Sequence, residues 1–280
     1  MDARTHEVRV SPGMSLDIEF AQLTDSGRHR EHNEDYFGHF KPRSAAEART
    51  HGWAFALSDG VGGQDLGEVA SQAAVEDFVS GFAAAAPSEP LPALLVRLVR
   101  EANQRVYEIG KNASPGGTSM ATTLVACALR FDRAVVAHVG DSRCYLLRHG
   151  RTVQLTRDHT VPAEQVRLGL MSAREARAAS TRHLLTRSLG TDLFVNVESS
   201  EHTLLPGDVL ILCCDGLHNS VDEPELAAIA GNGGSLQAAA ERLVAVANER
   251  DGSDNISVQL IRIRGVERVG MYRGRPYKLR

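Results

Sequence analysis

Aromatic residues are scarce in this chain: 5% of 280, with one tryptophan, Trp53. Bulk for a core must come mainly from aliphatic runs, and Trp53, at the head of one, is expected inside. No apolar stretch approaches the roughly 20 residues needed to cross a bilayer, so no membrane span is expected. The first residues, Met1 to Ser15, lack the apolar segment of a secretory signal. Cysteines number four, Cys127, Cys144, Cys213 and Cys214. All lie in apolar runs and no Cys-x-x-Cys pair exists, which speaks against zinc or a disulfide framework and for buried free thiols. Adjacent Cys213 and Cys214 should point to opposite faces of one strand. Neither sign of charge dominates: a formal −4 leaves no electrostatic case for nucleic acid. Eleven histidines form no His-Glu-x-x-His or His-x-His pattern. The expectation is a cytoplasmic monomer.

What is present is a succession of short apolar runs and long amphipathic ones. Strands are expected at 18–24, 35–40, 53–58, 121–129, 134–139, 143–148, 209–214 and 256–263. Helices are expected at 66–82, 91–109, 223–230 and 236–248, the last behind Gly233-Gly234-Ser235. Strands arrive in groups with helix pairs between them, unlike the strict alternation of a doubly wound sheet. This order reads as an α+β fold with antiparallel sheets and helices packed outside, and it permits a four-layer arrangement. Residues 41–50 read as a charged loop. The arginine-rich segment from Val161 to Thr181, with small helical patterns at 163–169 and 172–179, reads as an exposed subdomain, possible as a lid. The basic tail 265–280 reads as solvated chain.

Four aspartates stand where apolar runs give way to turns: Ser58-Asp59-Gly60, Gly140-Asp141-Ser142-Arg143, Cys214-Asp215-Gly216 and Ser253-Asp254-Asn255. Carboxylates gathered at strand ends repel one another unless cations neutralise them, and hard oxygen donors suit Mg²⁺ or Mn²⁺ over Zn²⁺. Glycine after Asp59 and Asp215 lets backbone turn tightly beside a ligand. The run Asp59-Gly60-Val61-Gly62-Gly63 matches neither a phosphate-binding lysine loop nor a dinucleotide fingerprint, and its acidic residue points to a cation, with the Gly60 carbonyl as a further oxygen. Alone, Arg30-Glu31-His32-Asn33-Glu34-Asp35 is only a polar turn before a strand.

In their order, these stations resemble those of the PPM family, the metal-dependent Ser/Thr protein phosphatases of type 2C. The matching stations are Arg30-x-x-Asn33-Glu34-Asp35, Asp59-Gly60-x-Gly62-Gly63, Gly117-Thr118-Ser119, Gly140-Asp141-Ser142-Arg143, Leu184-x-x-Arg187-x-x-Gly190, Asp215-Gly216-Leu217 and Asp254-Asn255. They run through nearly the whole chain, 17–264, leaving an N-terminal extension at 1–16. The resemblance implies a β-sandwich flanked by helix pairs, with the metal centre at one end. It implies that Asp59 bridges two ions, that Asp215 and Asp254 complete the first shell, and that the Gly60 carbonyl serves the second ion, with Glu34 acting there through water. Asp141 with Asp215 would hold an expected third ion. Arg30 would bind the phosphate, and the segment from Val161 to Thr181 would be the flap beside the site. Direct attack by a hydroxide bridging the ions is the implied mechanism. Phosphorylated proteins are the implied partners, together with the Ser/Thr kinase that produces them.

Three departures accompany the match. Val61 stands where some members carry a histidine, Ser119 replaces a threonine, and Thr160 replaces the serine after Asp158-His159. None removes an implied ligand. A cysteine phosphatase is suggested by the spacing of Cys127 and Arg133, but the residues between contain no glycine to wrap amides round a phosphate. The other alternative is a domain of this kind that only senses a phosphorylated partner; its intact ligand positions count against it.

Overall fold

The computed structural model describes residues 8–9, 15–61, 66–87, 89–113, 120–272 and 275–278, with side chains between 15 and 268. The N-terminal part supplies β1 (Val8–Arg9), β2 (Leu16–Asp25), β3 (Asp35–Phe40), α1 (Ala45–Thr50), β4 (Trp53–Asp59), α2 (Gly67–Ala84) and α3 (Leu91–Asn112). The middle supplies β5 (Leu124–Arg130), β6 (Arg133–Val139), β7 (Arg143–Arg148), β8 (Arg151–Gln154), α4 (Val161–Arg167) and α5 (Ala173–Ala178). The last part holds β9 (Glu198–Thr203), β10 (Val209–Cys213), α6 (Asp215–His218), α7 (Glu223–Ala230), α8 (Leu236–Arg250), β11 (Ile256–Val266), β12 (Val269–Tyr272) and β13 (Arg275–Lys278).

Two antiparallel sheets carry the fold. One is ordered β1-β2-β11-β10-β7-β8, the other β3-β4-β5-β6-β9. Their central strands are buried on both faces, and side-chain size sorts the faces. In β4, Trp53, Phe55 and Leu57 point between the sheets, where Phe20 meets the Phe55 ring edge-on at 5.2 Å. The alternate residues Ala54 and Ala56, with Ala126, Ala128 and Ala137, face outward. Their small size lets Phe78 and Phe82 of α2 and Leu95 and Leu98 of α3 pack close against the sheet. On the other side, Val209, Ile211 and Cys213 of β10 face α7 and α8, while Leu210, Leu212 and Cys214 face the sheet interior. The two cysteines therefore do point to opposite faces, and all four thiols are free and buried. The result is the expected four-layer helix–sheet–sheet–helix sandwich. Truncating a central side chain such as Phe55 to alanine would cost about 3–5 kcal/mol.

Several expectations need correcting. Residues 45–50 form α1 instead of loop, because the Ser44 hydroxyl accepts from the Glu47 N–H at 3.1 Å and caps the helix. The strand expected from 121 starts at Leu124; Thr122 instead bridges Gly60 on one side and Leu189 on the other. Strands β8 and β9 were not anticipated, and the tail, expected as solvated chain, carries β12 and β13 paired as a hairpin. The helical patterns inside the 161–181 segment do form, as α4 and α5, the latter closed by a Ser172–Glu175 capping box. No helix among the described residues is long and apolar enough to cross a membrane.

Candidate metal centre

The sandwich topology brings distant carboxylates to one end. Asp59 is the last residue of β4, Asp141 lies in the turn from β6 to β7, Asp215 opens α6 directly after β10, and Asp254 immediately precedes the run into β11. Asp59, Asp141, Asp215 and Asp254 border one cleft of about 330 Å³, together with Arg30, Gly60 and His183. Sequence reasoning named all four aspartates, Arg30 and Gly60.

Backbone hydrogen bonds hold Asp59 rigidly. Its N–H donates to Thr123 Oγ1 at 3.0 Å, and its carbonyl accepts from Thr122 Oγ1 at 2.7 Å and from the Thr123 N–H at 2.9 Å. Gly60 has no room for a side chain: a Cβ there would lie 2.5 Å from the Gly67 carbonyl oxygen and 2.9 Å from that of Glu34. The Gly60 N–H in turn donates to Glu34 O at 3.1 Å. Gly140, at φ +104°, makes the left-handed turn that aims Asp141 into the cleft. Buried Asn255 ties the Arg30–Glu34 loop down, accepting from the Glu34 N–H at 2.8 Å and donating to Ser26 O and His32 O, each at 3.0 Å. Glu34 sits beside the cleft, its carboxylate against Gly67. Arg30 donates to Asp254 Oδ2 at 3.0 Å.

The electrostatics of the cleft are lopsided. Burial, then Asp35, Asp215 and Asp141, push Asp59 well above the ordinary carboxylate range. Burial and Asp215 do the same to Asp141. Burial alone would raise Asp215, but His183 and His218, with the Asp59 carboxyl beside it, hold it below its usual value. His183 Nδ1 lies 3.4 Å from Asp215 Oδ2. A protein left with this many carboxylates must retain protons on them or bind cations.

Asp35 is the functional neighbour that sequence reasoning missed. It stands opposite Asp59 in the β3–β4 ladder, and an oxygen of each lies within 4.8 Å of Cys214 Sγ. Neither Asp35 oxygen makes a hydrogen bond of normal geometry, and burial raises its pKa to about 7. The signal was the register itself: a strand starting at Asp35 and one ending at Asp59 pair these two residues whenever 35–40 and 54–59 align end to end. Apart from the Cys214 thiol and the exposed His183 ring, the donors of the cleft are oxygens, the Gly60 carbonyl included. That chemistry fits Mg²⁺ or Mn²⁺.

A second charged cluster lies behind the Gly140 turn. His138 and His159 stack at 4.7 Å, and Glu198 comes within 3.2 Å of His159 Nε2. These three could geometrically hold a metal, but their donors are already committed. His138 Nε2 lies 2.8 Å from Arg157 O, and His159 Nδ1 accepts from the Gly140 N–H at 3.1 Å. Arg157 and Arg187 also bind Glu198 directly, and Arg187 lies 3.5 Å from Glu164 of α4. Burial, with His138 and Arg187 adding to it, drops the His159 pKa to about 4. This cluster supports the Asp141 turn and ties down the flap.

The segment expected to be a flap begins and ends at a hydrogen-bonded neck. The Val161 N–H donates to Leu184 O and the Thr186 N–H to His159 O, both at 2.8 Å. Residues 161–181 thus sit on a two-stranded stem beside the cleft. Gly62, Gly63 and the Gly117-Thr118-Ser119 station lie outside the described residues. Cys127 is fully buried between the sheets, which removes it as a nucleophile.

Comparisons with known proteins find relatives along nearly the whole chain. A family model described as protein phosphatase 2C matches residues 27–260. The Ser/Thr phosphatase stp of Listeria welshimeri is 35% identical over 255 residues, 90% of this chain and 96% of that protein. Among solved structures, the Ser/Thr phosphatase of S. agalactiae aligns with a TM-score of 0.79 at 31% identity, over 88% of this chain and 99% of that one. The catalytic domain of the Ser/Thr phosphatase PstP, in complex with two manganese ions, aligns with a TM-score of 0.75 at 28% identity, over 89% and 99%.

Proposed function

The chain belongs to the protein phosphatase 2C family, and from that premise we propose that it hydrolyses phosphoserine and phosphothreonine in proteins, using Mn²⁺ or Mg²⁺ held by its clustered aspartates. The observation that carries this reading is the gathering of Asp59, Asp141, Asp215 and Asp254 in one cleft with Arg30 at its rim. Asp59, with the Gly60 carbonyl beside it, would serve two ions; Asp215 and Asp254 would complete one site, and Glu34 would act at the other through water. Asp141 with Asp215 would hold a third. Bound divalent ions supply a water acidic enough to serve as nucleophile near neutral pH and offset phosphoryl charge.

The chain's own residues do the rest. Arg30 is a permanently charged, planar donor, half-exposed and anchored on one side by Asp254, which leaves its other N–H groups for phosphoryl oxygens. Thr122 and Thr123 fix the backbone of Asp59, so the carboxylate needs little reorganisation as charge develops. Val61 moves no proton. The burial of all four thiols supports direct attack by water over a phosphocysteine intermediate. The wider reading is a cytoplasmic monomer that reverses the work of a bacterial Ser/Thr kinase.

The deciding experiment is Mn²⁺-dependent hydrolysis of p-nitrophenyl phosphate and of phosphothreonine peptides. Asp59→Asn should abolish both. Folded wild-type protein that stays inactive on both with ample Mn²⁺ overturns the enzyme reading and favours a phosphoprotein-sensing domain.

A further inference from the structure

On its flap side the cleft opens into a larger groove of about 620 Å³. Asp141, Arg182, His183, Asp215 and Asn219 border both spaces, so the two are continuous. Pro162, Ala163 and Val166 of α4, with Ala173 and Ala176 of α5, give the groove an apolar wall.

Its arginines are of two kinds. Arg143 is paired with Asp158 at 2.6 Å, Arg167 with Glu164 at 2.7 Å, and Arg157 with Glu198. Arg177 and Arg182, both exposed, have no carboxylate partner among the described residues; the Arg182 Nε reaches only His183 Nε2, at 2.9 Å. Two uncompensated guanidinium groups therefore overlook a groove that leads straight to the aspartate cleft. They repel cations and attract anions along a groove that is continuous with the cleft.

We propose that this groove receives the stretch of substrate polypeptide flanking the phosphoresidue, and that Arg177 and Arg182 select acidic side chains within it. The inference rests on the phosphatase reading and gives that reading a substrate class: phosphoproteins acidic on one side of the phosphorylated residue. Division of labour follows from charge. An acidic side chain straying towards the cleft meets Asp141 and Asp215, whereas one lying beside Arg177 and Arg182 meets unpaired cations, so the same pattern orients the chain as well as choosing it.

The test is a matched set of phosphothreonine peptides carrying Glu, Ala or Lys on either side of the phosphoresidue, assayed for kcat/KM with Mn²⁺. Glu should exceed Ala by roughly threefold to tenfold on one side only, chiefly through KM, and the gap should narrow in high salt. Arg177→Ala should bring the Glu-to-Ala ratio towards one, and Arg177→Glu should make the Lys peptide the better substrate, while Arg177→Lys keeps the Glu preference. Equal rates on all peptides with wild-type protein overturn the proposal, as does a Glu preference that survives Arg177→Glu. A peptide with a second phosphothreonine in place of Glu separates the two anions: a preference for it with none for Glu overturns the choice of acidic side chains. p-Nitrophenyl phosphate separates the two levels, since its hydrolysis without any peptide preference sinks only the groove, and failure to hydrolyse both it and the peptides sinks the phosphatase reading.

Discussion

Two charged clusters lie side by side at one end of this sandwich, and they solve the problem of buried charge in opposite ways. Behind the Gly140 turn, Arg157 and Arg187 meet Glu198 and Glu164, two cations against two carboxylates, with His159 kept neutral between them. In front of it, Asp35, Asp59, Asp141, Asp215 and Asp254 have, among the described residues, Arg30 as their one directly bonded arginine. The first cluster is complete without help and holds structure. The second is incomplete as protein alone, and its deficit is what a divalent cation would fill. Both contain residue types that bind metals, so composition does not separate them; the balance of charge does.

The strongest way to break this contrast is to remove a carboxylate from the unbalanced side. Asp215→Asn should lower kcat/KM by at least about 10³-fold. The same variant should lose most of the thermal stabilisation that Mn²⁺ gives the wild type, which reaches about 2.7 kcal/mol at a hundredfold excess over Kd. A calorimetric melt with and without Mn²⁺ reads it, and an undiminished shift would contradict the placement of Asp215.

Breaking the balanced side should instead cost fold stability. Glu198→Gln leaves Arg157 and Arg187 with Glu164 as the one carboxylate of the cluster and, the pairs being partly exposed, should destabilise by about 2 kcal/mol in urea unfolding, with or without Mn²⁺. A loss seen only with Mn²⁺ would mean that Glu198 belongs to the metal site after all.

The smallest effect is a difference in sign with pH. His159 has a folded pKa of about 4, below the unfolded 6.5. Its contribution is fully present above pH 6.5 and is lost as pH falls towards 4, about 2 kcal/mol between pH 8 and pH 5. Asp35 runs the other way: its folded pKa is raised to about 7 from 3.8, so its contribution is present at low pH and is lost as pH rises through 7 in the metal-free protein. Unfolding free energies of His159→Gln and Asp35→Asn across this range, each subtracted from wild type, should slope in opposite directions.

The comparison also explains what the chain made legible. Asp59 and Asp215 each follow a buried strand and precede glycine, so local pattern exposed them. Asp35 begins a strand of mixed exposure and becomes meaningful only through its register with Asp59. Strand β9 is Glu-Ser-Ser-Glu-His-Thr, with no buried position; it is a strand because the edge of β6 offers it a ladder, a tertiary cause with no local signature. It is also the strand that delivers Glu198 to the balanced cluster, so the structural half of the site was harder to read than its chemical half. The Arg157–Glu198 pairing joins residues 41 apart in sequence, where no periodicity reports them.

The neck of the flap has a consequence for how such a protein can diversify. Because 159–161 and 184–186 are zipped to each other, the chain between them leaves and re-enters at adjacent points, whatever its length. Doubling such an insert adds only about 0.6 kcal/mol of closure entropy. Apart from Glu164 and His183, which reach back to Arg187 and Asp215, the chain between the stems can therefore be rewritten, lengthened or exchanged as a cassette while the sheets, the turn at Gly140 and the aspartates stay where they are. The exposed insert and the aspartate-bearing turns thereby lie on separately inheritable stretches of one polypeptide.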